Sequence, residues 1–227
     1  MVENLCWDSN FFNLKIGKIV WDENENLAIV DNEGYDLIYI FSNNARLNFP
    51  LVDKKIVYQI NDLHEKELDA PNNIEFYQNS DEQYFNLLSL AWQSAEFSRF
   101  KLDKNFPENT YKDLYKEWLN KSISKDLATD IIIKTINDKI VGFATLARKS
   151  NLLADISLVA VDSSFRGLGI AKELVKNMIA LAKQKGYDSI QVVTQLDNLV
   201  ANNLYKKSGF LEINLTYIYH HWNHDTI

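Results

Sequence analysis

Residues 163–171 read Ser-Ser-Phe-Arg-Gly-Leu-Gly-Ile-Ala, a cation and two glycines set between an apolar, β-branched run at 156–161 and the start of a helical repeat. A helix N-terminus leaves its first backbone N–H groups unpaired at the positive end of the dipole, so it attracts anions. Gly167 and Gly169 would let a phosphate approach the backbone closely, and Arg166 adds a fixed positive charge. A tight turn with no ligand would use the same two glycines. The nucleoside-triphosphate loop, Gly-x-x-x-x-Gly-Lys-Ser/Thr, does not occur in the chain, and the third glycine of the dinucleotide fingerprint is replaced by Lys172. A different phosphate compound is therefore expected. Only four arginines are present, and a second one, Arg99, lies in the polar segment Phe97-Ser98-Arg99, where a forked guanidinium suits an anion or pairs with Asp103.

These residues need particular elements around them. Ile170, Leu174, Met178 and Leu181, flanked by Ala171, Val175 and Ala182, recur at three- and four-residue steps and predict a helix that Gly186 stops. A strand at 189–194, a helix at 199–208 opened by Asn198 and closed by Gly209, and a strand at 211–219 follow. Upstream, Ser80 and Gln83 form a capping box for a helix whose buried face is predicted as Phe85, Leu88, Ala91 and Trp92. Pro107 suits the first turn of a second helix, striped by Tyr111, Leu114, Tyr115, Trp118 and Leu119. Strands at 130–136 and 140–147, joined by Asn137-Asp138-Lys139, precede a third at 153–162. Strand-like runs at 14–21, 37–42 and 54–60 and a polar stretch at 61–73 suggest a separate unit over 1–72, followed by a larger one over 73–227.

Val159-Ala160-Val161-Asp162, Arg166-Gly-Leu-Gly-Ile-Ala171 and Asn198 through Phe210 together closely resemble the GCN5-related N-acetyltransferase (GNAT) superfamily over roughly the last 90 residues. The resemblance implies an α/β fold: a mixed, mostly antiparallel sheet with one splayed parallel pair, preceded by the small strand-rich N-terminal domain. It implies acetyl-CoA as donor, its pyrophosphate on the amides of Gly167, Leu168, Gly169, Ile170, Ala171 and Lys172 beside Arg166. It places the pantetheine arm along Val159, Ala160 and Val161, with Asn198 and Tyr205 near the thioester. Tyr205 would protonate the leaving thiolate, and transfer to a neutral amine would be direct. No general base stands out, since Val193 occupies the position where related peptide acetyltransferases tend to carry a carboxylate and Gln191 and Gln195 are uncharged.

Two further stretches, Trp7-Asp8-Ser9-x-Phe11-Phe12 and Phe97-Ser98-Arg99-Phe100-x-Leu102-Asp103, are similar to the nucleotide-amino-sugar acetyltransferases typified by the dTDP-fucosamine enzymes. That resemblance implies an amine on a dTDP-linked 4-amino-4,6-dideoxyhexose as acceptor, for surface polysaccharide synthesis, with Phe97, Ser98 and Arg99 binding it. It is also compatible with a homodimer. A peptide, polyamine or drug amine is the alternative acceptor, and a non-catalytic acetyl-CoA-binding module is a third reading. Apart from the resemblance, Trp7, Phe11 and Phe12 read as core and Cys6 as a small buried residue.

Composition narrows the field. In 227 residues, a hydrophobic fraction of 46% and 28 aromatic side chains support a packed globule, while a net charge of −7 argues against a nucleic-acid surface. The opening residues lack a secretory pattern, no run approaches the roughly 20 uncharged apolar residues of a membrane helix, and a lone cysteine fits a cytoplasmic protein. His220, His221 and His224 cluster in sequence, but strand alternation turns His220 and His221 to opposite faces, so no metal site is expected.

Overall fold

The fold is that of a computed structural model, which describes residues 2–21, 34–45, 47–65, 67 and 74–223. In chain order its elements are β1 (Glu3–Asn4), α1 (Cys6–Phe12), β2 (Ile16–Trp21), β3 (Leu37–Ser42), β4 (Leu51–Ile60), β5 (Glu75–Phe76), α2 (Asp81–Ser94), α3 (Arg99–Leu102), α4 (Thr110–Ile123), β6 (Asp130–Ile136), β7 (Lys139–Arg148), β8 (Leu153–Val161), α5 (Ile170–Gln184), β9 (Ser189–Gln195), α6 (Leu199–Lys207) and β10 (Leu211–Trp222). The described residues form two compact units, one drawn from Met1–Ile56 with Asn214–Ile227 and the other from Val57–Ile213. The anticipated division at 72/73 lies outside the described residues; β10, assigned by the sequence to the larger domain, is shared between the units.

In the larger unit the strands run β9–β8–β7–β6–β5, with the end of β4 beside β9. β5 to β8 pair antiparallel and β8 pairs parallel with β9, as the resemblance implied. Asn137 and Asp138, both at positive φ (49° and 62°), make the tight turn between β6 and β7. Leu87, Leu88, Leu90 and Ala91 of α2 and Tyr115 and Leu119 of α4 pack with Phe143, Leu158 and Ala160 over one face of the sheet. Helix α5 buries Ile170, Leu174, Val175, Met178 and Leu181. Its close approach to β7 depends on Gly142, where a Cβ would stand 3.1 Å from Ile170 Cγ2 and 3.2 Å from Leu174 Cδ1.

Two local expectations are corrected. Phe85 is 66% exposed, because the apolar face of α2 is centred on Leu87, Leu88 and Ala91, which leaves the Phe85 side toward solvent. Pro107 lies outside α4: it belongs to a preceding turn, its carbonyl accepting from Thr110 N–H, and the helix begins at Thr110.

In the smaller unit β2 and β3 are parallel, a second parallel pair beyond the expected one, while β1 joins β2 and β10 joins β3 antiparallel. Its core is Ile38, Ile40 and Tyr219. His220 is fully buried and stacks on Tyr39 with 4.9 Å between ring centroids, inside a strand flanked by β3 and β4 rather than at an edge. Helix α1 buries no residue, and Trp7 is 40% exposed, so its rings are not the core that their type suggests; they pack on one another, Trp7 against Phe11 at 5.1 Å and Phe11 against Phe12 at 4.9 Å. Cys6, at the first turn of this helix, is exposed.

Candidate active site

Strands β8 and β9 are paired only from Leu153↔Ser189 to Ile156↔Val192, and beyond that point they separate. The separation starts where β8 carries an extra residue. Thr145 of β7 opposes Leu158 and Leu146 opposes Ile156, leaving Ser157 as a bulge, and Leu158 N–H donates to the Thr145 hydroxyl at 2.9 Å. Further along, Asp162 N–H donates to Val141 O at 2.8 Å. Strand N–H groups alternate in direction, so those of Leu158, Ala160 and Asp162 face β7 while those of Val159 and Val161 face the wedge left by β9. Of the three strand residues expected to line a pantetheine arm, Ala160 turns its methyl into the core, and Val159 and Val161 are half-buried.

The wedge leads to the glycine loop. Asp162 Oδ1 accepts from Ser164 N–H at 2.9 Å, Lys139 Nζ meets Asp162 Oδ2 at 2.8 Å, and Gln93 Oε1 accepts from Ser163 N–H at 3.0 Å. The hydrogen bond from Lys139, then that from Ser164, holds the Asp162 carboxyl below its ordinary range. Arg166 Nε donates to Val161 O at 3.3 Å, which keeps the guanidinium at the mouth of the wedge, with Glu96 Oε2 3.8 Å from Arg166 Nη1. Gly167 and Gly169 both adopt φ of 82°, where a side chain is strained. No side chain caps α5, and its first ladder bond is from Glu173 N–H to Gly169 O at 3.0 Å. The amides of Ile170, Ala171 and Lys172 therefore stand outside the helical ladder, and Gly167, Leu168 and Gly169 are exposed beside them. Donors, cation and open backbone fit a diphosphate.

Tyr205 of α6 is 5% exposed, its ring 5.9 Å from Phe210 and 6.1 Å from Tyr58. Burial, with the Asp155 charge as a smaller cause, pushes its hydroxyl well above the ordinary tyrosine range, so the phenol is protonated at neutral pH. Asn198 spends its side-chain oxygen capping α6, accepting from Ala201 N–H at 3.2 Å.

Three groups at this junction were not picked out from the sequence. Asp155 of β8 lies in the electrostatic neighbourhood of Tyr205; Gln191 Nε2 donates to its Oδ1 at 2.7 Å and Ser157 Oγ to its Oδ2 at 3.0 Å. The available signal was a carboxylate inside a strand whose only other polar residue is Ser157. Asn202, 5% exposed, donates through Nδ2 to the carbonyls of Gln195, Leu196 and Asn198 at 3.0, 2.9 and 2.8 Å, and its Oδ1 accepts from Tyr58 hydroxyl at 2.9 Å. Tyr58 and Asn202 are 144 positions apart, and nothing local in sequence links them.

In the segment between α2 and α4, Ser98 and Phe100 are buried, Phe97 and Arg99 half-buried, and the Arg99 guanidinium lies 4.5 Å from the centroid of the Phe100 ring. The Glu96–Arg166 approach brings this segment beside the glycine loop. Among the described residues no group of three or more His, Cys, Asp or Glu could hold a metal, and no helix is long and apolar enough to cross a membrane; His224 lies outside those residues.

A splayed parallel pair whose first strand leads through a glycine loop into an uncapped helix is the arrangement that the acetyltransferase resemblance implied. The chain belongs to the Acetyltransferase (GNAT) family, whose profile matches residues 81–210, more than half of its length. It is 28% identical over 137 residues to the spore coat polysaccharide biosynthesis protein SpsD of Bacillus subtilis, covering 60% of this chain and 46% of that protein. It is 36% identical over 73 residues to N-alpha-acetyltransferase 30 of Saccharomyces cerevisiae, covering 32% of this chain and 42% of that one. The chain thus spans less than half the length of either relative. A GCN5-related N-acetyltransferase from Sphaerobacter thermophilus shares the fold, with a TM-score of 0.53, 15% identity, and 82% of this chain and 60% of that chain covered.

Proposed function

We propose that this protein moves an acetyl group from acetyl-CoA directly to an amine, and that the amine is carried by a nucleotide-linked amino-dideoxy sugar. The observation that supports the transfer reaction is the wedge at the β8–β9 separation, toward which the Val159 and Val161 amides are directed; Tyr205, protonated at neutral pH, is assigned the proton donor, and Asp155, whose charge bears on it, the proton acceptor. The amides from Gly167 to Lys172, outside the helical ladder, and Arg166 bind the diphosphate of the donor, which supplies an activated thioester. A strand amide, Val159 or Val161, takes the negative charge that develops on the thioester oxygen as the amine nitrogen bonds to the acyl carbon. Tyr205 gives its proton to the sulfur as the C–S bond breaks, and Asp155 accepts the proton lost by the amine, directly or through one water. No acyl-enzyme is formed.

Two features support the sugar. One is the similarity to a polysaccharide-biosynthesis protein, and the other is Arg99, packed on Phe100 in a segment beside the donor loop, where a guanidinium suits a second diphosphate. A peptide N-terminus is the second reading; the similarity to N-alpha-acetyltransferase 30 and the presence of a carboxylate, Asp155, on the wedge strand favour it. The deciding experiment measures thiol release from acetyl-CoA with dTDP-4-amino-4,6-dideoxygalactose, spermidine and a peptide amine in parallel. Release with the nucleotide sugar alone is expected; release only with the peptide or spermidine refutes the sugar assignment and retains the acetyltransferase.

A further inference from the structure

We infer that Asn202 and Tyr58 form a latch that positions Tyr205 for proton donation, so that they set the turnover of this enzyme without binding either substrate. The inference rests on the acetyl-transfer reading, and not on the sugar.

A side-chain amide has two donor hydrogens and one carbonyl oxygen. Asn202 directs Nδ2 at three backbone carbonyls, those of Gln195 at the end of β9, Leu196 in the connection and Asn198 at the cap of α6, all within 3.0 Å. Its remaining oxygen takes the Tyr58 hydroxyl at 2.9 Å. One side chain therefore fixes the reversal from β9 into α6, at the place where β9 has just left β8. Asn202 and Tyr205 are three residues apart and so share a helix face. The Tyr58 ring closes this arrangement: its hydroxyl holds Asn202 and its centroid lies 6.1 Å from that of the Tyr205 ring, the two planes tilted by 46°. Tyr58 is fully buried and Asn202 is 5% exposed, so water does not replace either partner when one is removed. The hydrogen bonds of neither residue involve the glycine loop, which is held by Gln93 and Asp162, with Arg166 on Val161 O and beside Glu96.

A small rotation of α6 carries the Tyr205 hydroxyl away from the departing sulfur while leaving the donor's diphosphate cradle intact. A displacement of about 1 Å at a reacting group is enough to cost on the order of 10²-fold in rate. Tyr58→Phe keeps the ring and removes one hydrogen bond, whereas Asn202→Ala removes all four.

The test uses the full chain. Melting temperature, acetyl-CoA dissociation constant and kcat are measured for wild type, Tyr58→Phe, Asn202→Ala and the double variant, with whichever of the three acceptors above wild type uses. The expected result is a kcat lowered roughly tenfold in Tyr58→Phe and roughly a hundredfold in Asn202→Ala. The dissociation constant should stay within about twofold, and the double variant should be no worse than Asn202→Ala alone. A kcat per folded molecule equal to wild type, or a dissociation constant that weakens in step with kcat, overturns the latch. A readout free of any acceptor accompanies it: with ring-labelled tyrosine, the Tyr205 resonance, assigned by its loss in Tyr205→Phe, should shift when acetyl-CoA binds wild type and stay put when it binds Asn202→Ala. An unchanged response in Asn202→Ala refutes the inference even if the acceptor proposed here is the wrong one.

Discussion

The two ends of the wedge treat backbone polar groups in opposite ways. At the start of α5 no side chain caps the helix, two glycines hold positive φ, and amides are left to solvent. At the start of α6 Asn198 caps the helix and Asn202 engages three carbonyls of the preceding reversal. On the proposed reading the first end is completed by the donor's diphosphate, whereas the second is closed by the protein's own side chains. Binding and chemistry are thereby separated: the α5 end should govern affinity for the donor, and the α6 end should govern rate.

The largest test of this separation is Tyr205→Phe, expected to lower kcat by on the order of 10²-fold or more while the acetyl-CoA dissociation constant, measured by calorimetry, stays nearly constant. Because the folded protein raises this hydroxyl above its ordinary value of about 10, the neutral phenol is favoured. Its stabilising contribution is complete below about pH 10 and is lost as pH rises through the folded value, so the pH–rate profile should show no loss assignable to Tyr205 below about pH 10. Asp155→Asn comes next: kcat should fall by roughly 10²-fold near neutral pH with donor affinity preserved, and an unaltered kcat would remove Asp155 from the proton path.

At the other end the expectation inverts. An added methyl at Gly169 meets open space in the free protein, so Gly169→Ala should cost only the left-handed backbone strain, about 1 kcal/mol, yet weaken acetyl-CoA binding tenfold or more with little change in kcat. Asp162→Asn should destabilise by less than about 1 kcal/mol near neutral pH, by loss of the charge that pairs with Lys139, since the amide oxygen can still accept from Ser164 N–H. That carboxyl is held below its ordinary value, so its contribution is present above about pH 4 and disappears as pH falls through the folded value; the two melting temperatures should converge in acid. Ser80→Ala provides the reference, because the first turn of α2 has side-chain partners: Ser80 Oγ accepts from Gln83 N–H, while Gln83 Oε1 accepts from Gln78 N–H rather than from the Ser80 N–H of the expected capping box; about 1 kcal/mol of stability is expected to go, with no effect on donor affinity.

What could be read in the sequence follows the same division. Positive φ is written as Gly167 and Gly169, the α5 stripe as Ile170, Leu174 and Met178, and the α6 cap as Asn198, because each depends only on its immediate neighbours. Asp155 was passed over because its meaning comes from the pairing of β8 with β9 and from a tyrosine 50 positions later. The Tyr58–Asn202 bond depends on two strands meeting, and no local pattern encodes it. The rings of α1 read as core because aromatic type suggests burial, yet the seven-residue helix buries none of them and leaves Trp7 exposed, stacked on Phe11.

The bulge at Ser157 has a consequence for strand parity. Residues directly opposed across a ladder share a face, and Ala147, Thr145 and Phe143 of β7, all on one face, oppose Asp155, Leu158 and Ala160 of β8. An odd-numbered residue thus lies on the same side as two even-numbered ones. Were Ser157 drawn into the ladder rather than bulged out, simple alternation would put Asp155 and Leu158 on opposite faces, whereas deleting it would leave them on one face; how this single residue is accommodated, with no change in chemical type, decides which side of the sheet receives the carboxylate.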